Sequence, residues 1–441
     1  MVEEPGPVQA PRGTKDVLWP ESWRWEQVVA RFASLAERFG FGLVLNPMFE
    51  DVRVFRRGIG DDSDVVGKEM YELTDRGGRQ LALRPEGTAS VVRAFVQHRP
   101  TTPWRAWYVT PAFRYERAAA GRYRQHHQVG VEALGTDDPD LDVEVVSLAV
   151  AVVADLGLEQ VELAVNSMGC SECRPAYVVL LLAHLRARSD DLCDEHRVRY
   201  QVNPLRVLDC KTAACRDGTA DAPRLVDHLD AACAAHFARV LEGLGSLGIP
   251  YRLEPRLVRG FDYYTRTTFE LAATALEAAQ NAVGGGGRYN GLVEQLGGPP
   301  TPGIGFGMGI ERLLLACDAE GVLPAEPPAP DVFVVDLTGG AEARDLVAEL
   351  RRAGLVAERA YDGRSMKAQL KLADRSGAPI AVLIGAQELR AGQVTLRQMG
   401  DPHGGQAQVA RAQVVPELVC RSHHRQAVHG VPPVTRSEER P

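Results

Sequence analysis

Residues 104–135, WRAWYVTPAFRYERAAAGRYRQHHQVGVEALG, decide how the rest of the chain is read. Trp107, Val109, Val129 and Val131 place β-formers at alternating positions on either side of an Ala/Gly-rich loop, the pattern of two antiparallel strands joined as a hairpin. Side chains alternate faces along a strand, so Arg114 and Glu116 are expected on one face of the first strand. Gln128, Gly130 and Glu132 share a face of the second. A core-facing strand would carry Val or Ile at such positions. Arg, Glu, Gln and Glu around a bare glycine instead leave room for a polar molecule on the sheet. From these residues alone, a solvated surface hairpin reads equally well.

A chain of 441 residues is long enough for two or three domains. Its 45% hydrophobic and 24% charged content is that of a globular protein, and no apolar run reaches the roughly 20 residues that span a membrane. The opening MVEEPGPVQAPRGTKD has acidic residues and prolines where a signal peptide has a basic start and an apolar run, so a cytoplasmic location is expected. A formal charge of −8 gives no global attraction to nucleic acid, and any such contact must use local basic surface.

Around the hairpin, Trp25, Val28, Val29, Phe32, Leu35, Ala36 and Phe39 follow helical spacing up to Gly40. Leu81-Ala82-Leu83 runs into Arg84-Pro85-Glu86-Gly87-Thr88, where Pro85 and Gly87 break the strand and present Glu86 and Thr88 at a strand-to-helix corner. Thr88 reads equally as a helix N-cap. Gly284 to Gly287 allow close approach of backbone to a ligand but lack the GKS/T ending of a phosphate loop. In Pro302-Gly303-Ile304-Gly305-Phe306-Gly307-Met308-Gly309, alternate glycines clear one strand face while Ile304, Phe306 and Met308 fill the core. A flat ring fits such a strip. Arg312, in the first turn of the next helix, opposes the helix dipole and points to an anionic ligand.

Residues 168–250 read as a helical insertion. Six of the eight cysteines fall between Cys170 and Cys233. Cys170-x-x-Cys173, Cys193-x-x-His196 and Cys210-x4-Cys215 have the short-pair spacing of zinc ligands; a thiol-rich structural patch without metal is the competing reading. The proline-rich VLPAEPPAP marks a linker, which divides residues 1–325 from a small, mainly parallel α/β domain over 326–420. The remainder, 421–441, is polar and expected to be disordered.

With these segments in hand, the chain resembles the histidyl-tRNA synthetases, which are class II aminoacyl-tRNA synthetases. The likeness covers roughly residues 12–420. Pro47 through Tyr71 is similar to the family's dimer-forming motif 1, FRYER with GRYRQHHQVGVE to motif 2, and GIGFGMGIERLLL to motif 3. RGFDYYTRTTFE and GGGGRYNGLVEQLGG resemble two signatures particular to the histidine enzymes. The fold implied is α+β: an antiparallel sheet flanked by helices, a helical insertion, and a C-terminal α/β domain of the anticodon-binding type.

The resemblance implies activation of L-histidine by ATP with Mg²⁺, transfer to tRNA(His), and a homodimer. It places Arg114 on the ATP α-phosphate and the substrate carboxylate, Arg312 on the γ-phosphate, and Glu116 beside the nucleotide. Glu86, Gly87, Thr88 and Gln128 would surround the α-ammonium of histidine. Glu132, Tyr263 and Tyr264 would line the imidazole pocket, with Gly130 giving space. Arg259 would stand at the α-phosphate, in a role other class II enzymes give to a metal, and no protein metal ligand is assigned there. The chemistry suits such a set: the attacking carboxylate is already anionic, so catalysis consists of positioning and of neutralising phosphate charge with permanently protonated arginines.

Two departures from the family pattern stand out. Ala118-Ala119-Ala120 replaces the usual Pro-Gln in a loop that reaches the tRNA acceptor end, and Asn290 replaces an Asp. The alternative function is that of a non-catalytic paralogue, a regulatory subunit of histidine biosynthesis. Such paralogues generally lack the C-terminal domain and part of RGFDYYTR, both kept here. A class II synthetase for Gly or Thr is disfavoured by Tyr263-Tyr264 and HHQVGVE.

Overall fold

The computed structural model describes residues 7–60, 63, 65–116, 121–277, 281–400 and 405–429. The chain forms two compact units, residues 1–326 and 327–441. The strands of the first unit are β1 (Gly42–Leu43), β2 (Phe49–Asp51), β3 (Tyr71–Thr74), β4 (Gln80–Leu83), β5 (Trp104–Phe113), β6 (Gln125–Leu134), β7 (Val161–Ser167), β8 (Arg252–Leu253), β9 (Thr265–Ala273), β10 (Ala282–Arg288) and β11 (Gly303–Gly309).

Eight of them form one sheet in the order β1-β5-β6-β11-β10-β9-β7-β8. Its six inner strands are antiparallel throughout, and only the two-residue edge strands pair in parallel. β2, β4 and β3 make a separate small sheet. The hairpin is register-matched as the alternation requires, Trp107 opposite Val131 and Val109 opposite Val129. One expectation fails here. β5 ends at Phe113, so Arg114 and Glu116 lie just past the strand; only the amide of Arg114, donating to the Arg124 carbonyl at 2.9 Å, continues the pairing. The Pro111-bearing end of the strand gives way to a loop that swings these two side chains over the sheet.

Val129, Val131, Ile304, Phe306, Met308 and Phe269 form the buried face, covered by the helices Glu21–Arg38 and Pro139–Asp155. Burying each such side chain contributes about 1.5–3 kcal/mol. The last helix of the inserted segment, Ala231–Ser246, joins that cover: Phe237, Val240 and Leu244 enter the same core, and a Cβ on Gly243 would stand 2.6 Å from Val143. The helical region therefore splits, its final helix belonging to the body of the sheet. No helix among the described residues is long and apolar enough to cross a membrane.

The second unit holds β12 (Val332–Asp336), β13 (Ala357–Arg359), β14 (Ile380–Ile384), β15 (Gln393–Gln398) and β16 (Gln406–Ala410) in the order β13-β12-β14-β15-β16. Only the first three strands are parallel; β15 and β16 add an antiparallel edge, so the sheet is mixed. QVTLRQ and QAQVA are rich in polar residues, and QAQVA is exposed along almost its whole length, which hid these strands. The tail also differs from expectation over residues 421–429, which complete the helix Val414–His429. Val414 and Leu418 anchor that helix in the core and Glu417 pairs with Arg421 one turn on. Residues 430–441 lie outside the described residues.

Candidate active site

At the corner after β4 the capping roles are exchanged. Glu86, not Thr88, caps the helix Thr88–His98: its carboxylate accepts from the amides of Thr88 at 2.6 Å and Ala89 at 2.7 Å. Burial raises the Glu86 pKa, an effect opposed by those two amides and by Arg114. The Thr88 hydroxyl, freed from capping, donates to Oε1 of Glu132 at 2.6 Å. Tyr289 donates to Oε2 at 2.6 Å, and the Tyr108 hydroxyl lies 3.3 Å from Oε1.

Glu132 is fully buried behind these hydroxyls and does not line the open hollow. Burial pushes its pKa up to about 8, the nearby Glu86 charge adds to this, and the hydroxyls of Thr88 and Tyr289 oppose it. Gly130 and Gly87 likewise serve a protein group: a Cβ at Gly130 would stand 2.5 Å from the Tyr108 hydroxyl, and one at Gly87 2.4 Å from its ring. Both glycines make room for Tyr108, a residue the sequence did not single out.

The hollow on the sheet has a volume of about 380 Å³. Arg114, Arg259 and Arg312 all line it, together with Glu86, Thr88, Glu116, Gln128, Tyr263 and Tyr264. Its bare strip is Gly284, Gly285, Gly307 and Gly309. Gly305 does not contribute, because Glu132 Oε2 already occupies the space of its missing Cβ, 1.9 Å away.

Each arginine is held by a fixed partner. Arg114 Nε donates to the Pro85 carbonyl at 2.9 Å, and its guanidinium lies 5.4 Å from the centre of the Phe261 ring. Arg259 Nη1 pairs with Glu270 at 2.6 Å, and Arg312 Nη1 donates to the Ala282 carbonyl at 2.9 Å. Glu116 pairs with Arg122 at 2.9 Å. Two polar atoms of the wall, Arg259 Nε and the Tyr263 hydroxyl, are buried without a hydrogen-bond partner. A polar ligand would satisfy such groups, which otherwise cost about 1–3 kcal/mol each.

Sequence reasoning missed several lining residues. Glu270, at the end of RGFDYYTRTTFE, and Glu311, within GIGFGMGIERLLL, both line the hollow. His126 is kept neutral, its pKa lowered to about 3 by burial and then by Arg114 and Arg312. Asp209 comes from the inserted segment and is pushed up to about 6 by burial and by the charge of Glu270.

The chain that builds this open antiparallel sheet has close counterparts. A profile of the family described as Histidyl-tRNA synthetase matches residues 13–173 and 187–313, and one described as Anticodon binding domain matches 331–421. The chain belongs to the histidyl-tRNA synthetase family. It is a class II aminoacyl-tRNA synthetase with the α+β fold of that group. It is 45% identical to the histidine–tRNA ligase of Halothermothrix orenii over 93% of this chain and 99% of that one. It is 48% identical to that of Mycolicibacterium vanbaalenii over 94% and 98%. The crystal structure of the apo Staphylococcus aureus histidyl-tRNA synthetase superposes with a TM-score of 0.78 at 34% identity, covering 93% of this chain and 100% of that one.

Of the two departures from the histidyl-tRNA synthetase pattern, Ala118-Ala119-Ala120 lies outside the described residues. Asn290 takes up a structural post: its side-chain amide donates to Asp137 at 2.9 Å, and Asp137 also pairs with Arg266 at 2.5 Å.

Proposed function

We propose that this chain joins L-histidine to ATP as histidyl-adenylate and then transfers the histidyl group to the 3′ end of tRNA(His), acting as a cytoplasmic homodimer. The observation that carries this reading is the shared hollow: Arg114, Arg259 and Arg312 surround one cavity that also holds Tyr263, Tyr264 and a bare glycine strip.

In this reading the adenine and ribose lie on the strip. The histidine carboxylate attacks the α-phosphorus in line, the bond to the bridging oxygen breaks, and pyrophosphate leaves. No base is needed for that step. Arg114 and Arg259 hold the α-phosphate and the carboxylate, Arg312 holds the γ-phosphate, and Glu116 orients the nucleotide. Glu86, Thr88 and Gln128 receive the α-ammonium. Tyr263 and Tyr264 face the imidazole, and Glu132, buried behind that wall, holds the Thr88 hydroxyl in place. Glu116, Glu270 and Glu311 offer the oxygen donors that suit Mg²⁺, which takes one or two carboxylates besides substrate phosphates and would offset phosphate charge.

The second unit is assigned to the tRNA anticodon. Support for the dimer comes from large apolar side chains exposed at the start of the motif 1 region, Met48 and Phe49, and just before it, Leu43 and Leu45, with Leu45 at 76% exposure.

Amino-acid-dependent pyrophosphate exchange tests the proposal. Exchange is expected with histidine and ATP and with none of the other standard amino acids. Exchange with none at all, or with glycine or threonine in place of histidine, would overturn it.

A further inference from the structure

The inserted segment brings its cysteines into two separate groups that the sequence spacing did not reveal. In one, Cys170 and Cys173 from the start of the helix Cys173–Ala187 meet Asp230 and Cys233 from the start of the helix Ala231–Ser246. In the other, Cys193 and His196 meet Cys210 and Cys215. Within each group the four ligand atoms lie within 4.8 Å of one another. We propose that each group binds one zinc ion: a Cys₃His site at Cys193, His196, Cys210 and Cys215, and a Cys₃Asp site at Cys170, Cys173, Asp230 and Cys233.

The distances fit a single tetrahedral ion. Zinc bonds of about 2.3 Å to sulfur and 2.0 Å to nitrogen put neighbouring sulfurs about 3.8 Å apart and sulfur and nitrogen about 3.5 Å apart. The Cys170 and Cys173 sulfurs are 3.7 Å apart, and those of Cys173 and Cys233 4.0 Å. His196 Nδ1 lies 3.2 Å from the Cys193 sulfur and 3.6 Å from that of Cys215. All of these thiols are free, so disulfides do not account for the grouping. The spaces are too small for a multi-iron cluster, and a closed set of four thiolate-rich ligands is the pattern of structural zinc.

The surroundings suit thiolates. The amide of Cys170 donates to the Cys173 sulfur at 3.1 Å, that of Glu172 to the Cys170 sulfur at 3.3 Å, and that of Cys193 to the Cys215 sulfur at 3.3 Å. Asp230 uses Oδ1 to cap its helix, accepting from the Cys233 amide at 2.7 Å, and turns Oδ2 to the Cys170 sulfur at 2.9 Å. One carboxylate thus serves both a helix and the candidate ion, the kind of outer hydrogen bonding that orients metal ligands.

The segment also needs a staple. Between the two long helices the chain has only the α-helices Asp194–Arg199, Leu205–Leu208 and Ala213–Gly218, of six, four and six residues, and the 3₁₀ turns Ser189–Asp191 and Leu225–His228. Isolated helices shorter than about 12–15 residues are marginal in water. The Cys₃His ion would tie the first of these to the third. The Cys₃Asp ion would fix the start of the helix that carries Arg174, whose guanidinium donates to the carbonyls of Met168 and Tyr264. It would thereby brace the backbone of the Tyr263–Tyr264 pair.

Zinc content of the full-length chain, purified without chelator from zinc-supplemented cells and measured by inductively coupled plasma mass spectrometry, tests the proposal. Two zinc ions per chain are expected, falling to one in Cys215→Ser, to one in Cys233→Ser, and remaining two in Cys420→Ser. A count near zero in the wild-type chain, or stoichiometric iron in place of zinc, would overturn the proposal. A count of one that only Cys215→Ser removes would overturn the Cys₃Asp site, and the converse pattern the Cys₃His site. Should a variant fail to fold, cobalt substitution of the wild-type chain decides: two equivalents with intense thiolate charge-transfer bands are expected, and fewer would contradict two sites.

Discussion

Glu132 Oε1 accepts the Thr88 hydroxyl at 2.6 Å, which ties the second strand of the central hairpin to the helix that borders the hollow. The bond exists because Glu86 has taken over the capping of that helix. Two carboxylates therefore share the work of one corner, and both are buried.

Burial of Glu132 has a consequence for stability. Its folded pKa of about 8 lies above the ordinary 4.5, so the folded chain keeps a proton that the unfolded chain releases. The stabilising contribution is complete below about pH 4.5 and is lost progressively as pH rises to 8, a difference on the order of 5 kcal/mol. Glu132→Gln, neutral at every pH, removes this dependence. Thermal melts from pH 5 to 9 are expected to show the wild-type chain losing stability relative to Glu132→Gln as pH rises; parallel profiles would mean that Glu132 is ionised in the fold.

Tyr263 contributes a buried hydroxyl without a partner. Tyr263→Phe is expected to leave the melting temperature unchanged or slightly higher, since an unsatisfied polar group is removed. The KM for histidine should rise about 10-fold to 100-fold, with that for ATP little changed. Equal effects on both substrates in pyrophosphate exchange would remove the hydroxyl from histidine recognition.

Gly305 and Gly307 sit two residues apart on β11 with opposite expectations. A Cβ at Gly305 would meet Glu132 Oε2 at 1.9 Å and the Val131 carbonyl at 2.4 Å, so Gly305→Ala should cost about 3 kcal/mol or more in urea unfolding. At Gly307 the nearest atom is 3.7 Å away, and Gly307→Ala should change stability by less than about 1 kcal/mol. It should instead raise the KM for ATP about tenfold by roughening the strip.

Arg288 is fully buried, with Nε 2.6 Å from Asp142 Oδ1, while His236 Nε2 holds Oδ2 at 2.8 Å. Asp142→Ala leaves that guanidinium with only the more distant Asp137 carboxylate, at 3.5 Å, and should cost about 3 kcal/mol, read from chemical denaturation. A loss below about 1 kcal/mol would show that the network relaxes around the missing carboxylate.

How much of this was legible follows the range of the forces involved. The hairpin and the alternating glycines of β11 are written in a two-residue period, which a strand cannot disguise. That Arg114, Arg259 and Arg312 meet was reachable only through the likeness to a family, because nothing local joins residues nearly 200 positions apart. Gly130 was read as space for a ligand, whereas a Cβ there would meet Tyr108, since a sequence shows a missing side chain but not what fills the gap. Glu132 was placed in the pocket wall because its partners Thr88, Tyr108 and Tyr289 lie on three other elements. The cysteines paired by short spacing proved to be halves of two groups, one closed by Asp230 and Cys233 about 60 residues downstream.

The central claim is that three arginines act on one substrate complex, and histidine-dependent pyrophosphate exchange by Arg114→Ala, Arg259→Ala and Arg312→Ala tests it most directly. Each variant is expected to melt as a folded protein and to lose exchange by about 10²–10³-fold, the usual effect of removing one donor that stabilises developing charge. Near wild-type exchange in any one of the three folded variants would contradict the shared site.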